Sequence, residues 1–569
     1  MTRRAHLIAV ARGDAEPDLV VEGARVFSVF TREWLEGDVA VAGGRIAGVG
    51  RYDGGERLAA GGRALVPGFV DAHVHIESSK LVPAEFARAV VPHGTTTIVC
   101  DPHELANVLG VRGVDWLLDA TADLPLRVFV MAPSCVPASA FESPRGPLAP
   151  ADMEAILRRD RALGVAEMMN FPGVIAGEPA ELAKLAVAGA RHVDGHAPGV
   201  RGRALDAYAA AGIASDHEAT TADEALEKRR RGMWVLIRDA SGARNLTDLL
   251  PLVAAHGPEQ CAFCTDDREP DLIAREGHLD QMCRDAVAAG IAPEDVLVMA
   301  TLHGARAHGL RDLGAIAPGC RADLLLLDDV RDFRPAAVLY DGRVVARDGV
   351  ALPFTAAPVP GWARDTVNSA PLTTAALDLG EAEGRVRVIE IVPGQLTTHA
   401  REEAPARAGG RIVADPARDL AKIAVVERHH ASGRVGRGLV TGFGLRHGAF
   451  ASTVAHDAHN TVIVGTDDRD MLACAARLAE LGGGIVVAAG GAVRGELALP
   501  VAGLLSEEPY ETVVERLDAL HALLREQGVT VEAPFMTLSF LALSVIPSLK
   551  LTDRGLVDVD AFALVPLAI

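Results

Sequence analysis

His73 and His75 are the residues whose type and spacing speak first of chemistry. They close the run Leu65-Val66-Pro67-Gly68-Phe69-Val70-Asp71-Ala72-His73-Val74-His75. The apolar part reads as a buried strand, and side chains at i and i+2 leave the same face of a strand. Both imidazoles can therefore point at one spot, a usual arrangement for a shared metal ion. Other metal-competent groups end other strand-like runs. Glu167 follows Leu163-Gly164-Val165-Ala166, and His196 closes His192-Val193-Asp194-Gly195. His217 closes Ile213-Ala214-Ser215-Asp216, and Asp266 closes Cys261-Ala262-Phe263-Cys264-Thr265. Four imidazoles and two carboxylates exceed the needs of a single zinc. They suit a two-metal site with one carboxylate long enough to bridge. Nitrogen and carboxylate donors without thiolate fit manganese, iron or zinc.

The elements that must position these groups alternate strand and helix patterns from about Pro67 to Leu313. Eight strand candidates end near His75, Asp101, Ala132, Asn170, His196, His217, Asp239 and Asp266, with helical stretches such as 151–163, 179–190 and 223–231 between them. Eight β/α units in roughly 250 residues predict an α/β fold built on a (β/α)₈ TIM-type barrel, in which chemistry gathers at the carboxyl ends of the strands. An open doubly wound sheet would need a glycine-rich phosphate turn after its first strand, and none is present. Short β-rich runs with turn signals occupy the first sixty or so residues and return at 322–328 and 337–345. They predict a small β-sandwich built from both flanks, residues 1–66 plus 314–365, with the barrel (67–313) inserted. Residues 366–569, with strand-like runs at 385–391 and 422–426 and a helix-like stretch at 511–526, predict a C-terminal α+β domain.

The bulk composition narrows the function. Of 569 residues, 49% are hydrophobic and only 4% aromatic, so the cores must be aliphatic. A net charge of −20 argues against nucleic acid and anionic membranes as partners. Seven cysteines are too few and too scattered for a disulfide framework. Cys261-Ala262-Phe263-Cys264 has no second C-x-x-C pair and lies in a strand, where i and i+3 face opposite ways. Neither a secretory signal nor a membrane span is readable, and the expected compartment is the cytoplasm. In the third region His447, His456, Asp457 and His459 could form a further metal site or help to close a pocket; His456-x-x-His459 is equally compatible with a hydrogen-bonded turn.

Longer motifs surround the six metal-competent groups. They include His73-Val74-His75-Ile76-Glu77-Ser78-Ser79, Asp101-Pro102-His103-Glu104-Leu105-Ala106-Asn107, Met168-Met169-Asn170-Phe171-Pro172-Gly173, Asp194-Gly195-His196-Ala197-Pro198-Gly199, Ser215-Asp216-His217-Glu218 and Phe263-Cys264-Thr265-Asp266-Asp267-Arg268. Beyond the barrel come Ala451-Ser452-Thr453-Val454-Ala455-His456-Asp457-Ala458-His459-Asn460 and Lys550-Leu551-Thr552-Asp553. In these the chain resembles the amidohydrolase superfamily and, more closely, the bacterial adenine deaminase family, over nearly its whole length. The resemblance implies hydrolysis of adenine to hypoxanthine and ammonia, by attack of a metal-activated hydroxide at C6. It implies two divalent ions, manganese first, with iron or zinc as alternatives. His73 and His75 would bind one ion and His196 and His217 the other. Glu167 would bridge, where many relatives use a carbamylated lysine, and Asp266 would bind metal and carry protons. Glu77, His103, Glu104 and Arg238 are the candidates for holding the purine ring. For Glu77 the alternative is a carboxylate steadying an imidazole, for His103 and Glu104 a helix-start role, and for Arg238 an ion pair. Lys80, Asp239 and Glu269 depart from the family pattern, which has an apolar residue, a glutamate and a histidine there. By analogy of architecture a homo-oligomer, with a dimer favoured, is expected. The alternative function on this scaffold is hydrolysis of another nucleobase or of a cyclic or N-acyl amide, for which a bridging lysine is more typical than Glu167.

Overall fold

A computed structural model describes residues 2–381 and 383–569. At its centre eight parallel strands run in chain order: β1 (Phe69–Val74), β2 (Thr95–Cys100), β3 (Arg127–Ala132), β4 (Ala162–Met168), β5 (Val193–Gly195), β6 (Ser215–Asp216), β7 (Trp234–Arg238) and β8 (Cys261–Cys264). Their backbones form a five-stranded sheet, β1 to β5, and a three-stranded sheet, β6 to β8. Two seams close these into a barrel. At one, the Ala214 amide donates to the Val193 carbonyl at 2.9 Å. At the other, the Asp266 amide donates to His73 and the His75 amide to Asp266, at 3.0 and 3.3 Å. Candidate metal ligands thus stitch the second seam themselves. Inside it, Thr265 donates its amide and hydroxyl to Asp71, which burial pushes up to a pKa of about 7.

The strand composition explains this packing. β2 reads Thr-Thr-Thr-Ile-Val-Cys and is buried throughout, as a β-branched strand covered on both faces should be. Close approach of β5 to β4 depends on Gly164: a Cβ there would lie 2.0 Å from the His192 carbonyl oxygen. The helix expected over 151–163 stops at Leu157. A turn follows, and β4 begins at Ala162, so the alanine-rich pattern overran into strand.

Both flanks share one nine-stranded sheet. Its join is the antiparallel pairing of Leu324–Leu327 with Ala64–Pro67. An N-terminal helix, Arg3–Arg12, escaped the sequence reading. Thr2 caps it and Gly13 ends it in the left-handed region, while Val10 packs on Ala40, Ala42 and Ala47.

In the C-terminal region an eight-stranded mixed sheet is sorted by its period of two. Ala424 and Val426 face the helix Asp468–Leu481 through Met471, Cys474 and Leu478. Ile423 and Val425 join the main core on the other face, with Leu517, Leu520 and Leu524 of the helix Tyr510–Glu526. The turn between strands Ala449–Ser452 and Thr461–Gly465 reaches the mouth of the barrel, where Asn460 donates to the Ser143 carbonyl at 3.1 Å. All seven cysteines are buried and free. Among the described residues no helix is long and apolar enough to cross a membrane.

Candidate active site

All six metal-competent residues of the sequence reading meet at the carboxyl end of the barrel, each no more than 4% exposed. His73 Nε2 and His75 Nε2 lie 3.1 Å apart. The His75 Nδ1–H donates to the Asp101 carbonyl at 2.9 Å, which leaves Nε2 a bare lone pair aimed inward. Glu167 divides its oxygens between two histidine pairs. Its Oε1 stands 3.7 Å from His73 Nε2 and 3.3 Å from His75 Nε2. Its Oε2 stands 2.7 Å from His196 Nδ1 and 3.4 Å from His217 Nε2. Asp266 Oδ1 completes the first pair, 3.6 Å from His73 and 3.2 Å from His75. Asp266 holds a φ of 51°, left-handed geometry that costs a non-glycine residue about 1–3 kcal/mol.

The electrostatics describe a site short of positive charge. Burial opposes ionisation of Glu167, but His196, His217 and His75 hold its pKa well below the carboxylate range. Burial likewise opposes ionisation of Asp266, and His73, His75 and Arg238 hold it low. Conversely, burial should depress His217, yet Glu167 and Asp266 raise it to about 9. Four imidazoles and two carboxylates converging on one point are a donor set that fits divalent cations.

The four residues proposed to hold the purine ring divide. His103 lines the cleft: its Nδ1 donates to Asp101 Oδ2 at 3.0 Å and lies 3.7 Å from Glu167 Oε1. Arg238 also lines it, but its guanidinium is engaged, forking onto Glu218 and donating to Asp266 Oδ2 at 2.9 Å. It therefore orients the Asp266 carboxylate, the ion-pair alternative. Glu104 sits behind the wall, accepting from Ser78 and from His456 Nε2 at 3.1 and 2.9 Å. Glu77 turns away from the cleft altogether. Its Oε1 accepts the Leu105 amide at 3.1 Å, in the first turn of the helix His103–Leu109, and burial beside Glu104 pushes its pKa up to about 8.

Of the second wall of the cleft, His456 and Asp457 were among the residues that could help to close a pocket, while Leu396, Phe540 and Leu543 were missed, because no strand period marks them. Leu396, His456, Asp457, Phe540 and Leu543 of the C-terminal region face His75, His103, Glu167, His196, His217, Asp266 and Met169 across the cleft. The His456 ring stacks on Phe540 with centroids 4.4 Å apart, and its Nδ1 meets Ser539 Oγ at 2.5 Å. Burial works against charge on His456, but Glu104 and Asp267 raise its pKa to about 10. His459 is buried behind it, 3.6 Å from Glu104. His447 is exposed and takes no part. Asp267 and Glu218 were missed for a simpler reason: each follows a predicted ligand by one residue and so points to a different neighbour.

Comparison with known proteins decides the family. A model described as "Amidohydrolase family" matches residues 64–345, and one described as "Adenine deaminase C-terminal domain" matches residues 395–563. "Adenine deaminase 2" of Carboxydothermus hydrogenoformans is 46% identical over 566 residues, 99% of each chain. "Adenine deaminase" of Desulfatibacillum aliphaticivorans is also 46% identical, over 565 residues, and that of Methylobacterium sp. is 48% identical over 564, each covering 99% of both chains. The chain belongs to the adenine deaminase family. Membership in the amidohydrolase superfamily implies divalent metal, which the donor set fits. Two departures from the adenine deaminase pattern turn out to be partners: Lys80 Nζ donates to Glu269 Oε1 at 2.6 Å, both side chains 2% exposed. The third, Asp239, pairs with Arg244 and Arg268. None of the three lines the cleft.

Proposed function

We propose that this adenine deaminase family member hydrolyses adenine to hypoxanthine and ammonia at a pair of divalent ions, manganese first and iron or zinc as alternatives. The division of Glu167 between two histidine pairs, with Asp266 alongside, is the observation that carries the reading. His73 and His75 would hold one ion, His196 and His217 the other, with Glu167 between them and Asp266 on the first. Bound there, such ions supply water acidic enough to be deprotonated near neutrality. Asp266 Oδ1 faces the centre, so this carboxylate is placed to take that proton and pass it to the departing amino nitrogen. Arg238 holds the other Asp266 oxygen and fixes its aim. The C6–N bond breaks as ammonia leaves, and C6 keeps the oxygen of water. Met169, Leu396, Phe540 and Leu543 exclude bulk water and offer apolar surface to a flat base.

The reading extends to organisation. We take residues 1–66 with 314–365, 67–313 and 366–569 as the three domains, and a cytoplasmic homodimer as the working form. Seven free cysteines support a reducing compartment. The test is ammonia release from a panel of purines and pyrimidines after loading with manganese, iron and zinc in turn, with metal content measured on each preparation. Two metal equivalents and release from adenine are expected. A fully metallated protein that ignores adenine and consumes another base would sink the substrate assignment.

A further inference from the structure

Asp457 is a buried carboxylate with one oxygen left bare. It is 1% exposed, and its Oδ2 has no hydrogen-bond partner among the described residues. Its Oδ1 comes to 3.5 Å from His103 Nε2, too far for a useful hydrogen bond, and that Nε2 is also without a partner among the described residues. Behind it stands Glu142, another carboxyl, which burial and Asp457 push up to a pKa of about 8. A buried acceptor left without a donor costs free energy. Because Asp457 and His103 both line the cleft, the missing donor is expected on the ligand.

Position says which part of the ligand. The His103 ring spans the gap between the centre and Asp457, with Nδ1 3.7 Å from Glu167 Oε1 and Nε2 3.5 Å from Asp457 Oδ1. Asp457 therefore stands about one ring beyond the metal-facing end of the cleft. A purine with C6 at the centre directs its five-membered ring away from it. In a free base that ring carries an N–H. In a nucleoside the corresponding nitrogen carries a sugar carbon and no proton. The bare Asp457 Oδ2 offers an acceptor, so it suits the first and leaves the second unpaired.

We infer that Asp457, supplied by the C-terminal domain, accepts the five-membered-ring N–H of the bound base and selects free purine bases over 9-substituted ones. This rests on the purine reading above. Sites built to hydrogen-bond a ligand N–H discriminate strongly against analogues that lack it.

Calorimetric binding of purine and of 9-methylpurine to the metal-loaded full chain tests the inference without requiring turnover. Wild type should prefer purine. Asp457→Ala should weaken purine by roughly 10- to 100-fold, the cost of leaving a buried N–H unpaired, and leave 9-methylpurine little changed. Asp457→Asn keeps a neutral acceptor oxygen and should fall between. The inference is overturned if wild type binds both ligands alike, if both weaken equally in the variants, or if purine binding is unchanged. Metal content and thermal unfolding identify a misfolded Ala variant, in which case the Asn variant decides. Ammonia release from adenine by wild type is scored separately: its absence would remove the proposed reaction while the two-ligand contrast still judges Asp457.

Discussion

The two walls of the cleft handle buried charge differently. On the barrel side charge is shared. Glu167 faces five imidazoles, Asp266 has two imidazoles and Arg238, and Lys80 has Glu269. On the C-terminal side His456 is paired with Glu104 and Asp267 of the barrel, but two other polar groups are thinly partnered. Asp457 has only the His103 ring, 3.5 Å away, and Lys550, fully buried, donates only to the carbonyls of Leu396 and Phe540, at 2.7 and 3.1 Å. Those two residues form the wall itself. On the proposed reading, the barrel side is a frame for cations and proton transfer, while the C-terminal side holds polarity that a ligand or the backbone must answer, so that chemistry and recognition are divided between the regions.

The largest effect should come from breaking the barrel side. Asp266→Asn removes the proposed proton carrier, and kcat for ammonia release should fall by roughly 10²–10⁴-fold. Binding of purine, measured by calorimetry, should change far less. Equal losses in both would erase the division of labour.

A smaller effect sharpens the claim that barrel charge is shared. Lys80→Met leaves Glu269 buried and unpaired, which should destabilise the fold by about 3–5 kcal/mol, whereas replacing both by apolar residues should be close to neutral. Urea unfolding of the single and double variants reads this. A double variant as unstable as the single would mean the pair is not coupled.

The mildest prediction concerns Lys550, whose pKa burial lowers from 10.5 to about 7. As pH falls from the unfolded value toward the folded one, the unfolded chain takes up the proton first. Stability is therefore lost progressively, and the loss is complete once both states are charged. Wild type should gain from rising pH across this window, and Lys550→Met should lack that gain. Thermal unfolding of both at pH 7 and 9 measures the difference, and identical pH slopes would refute it.

The sequence disclosed the two walls unequally for the same physical reason. Strand-end periodicity exposes His73, His75, Glu167, His196, His217 and Asp266, because a barrel delivers its strand ends to one rim. Glu77 obeyed the period but was taken up by a helix start, a competition for amide donors that spacing does not register. Asp457 and His456 lie on a turn, and Lys550 on a strand of a separate three-stranded sheet. Only tertiary packing brings these to the barrel mouth. The Lys80–Glu269 pair was visible as two odd residues, but not as one interaction, because 189 positions separate them.

The shared cleft also has a consequence for the timing of synthesis. The last candidate metal ligand is Asp266, whereas the opposite wall ends at Leu543. At about 5–20 residues per second, a ribosome needs roughly 15–55 s to cover that interval. For that time a growing chain carries its cluster of imidazoles and carboxylates with no roof above it. On the proposed reading, the finished recognition wall is among the last things the ribosome delivers.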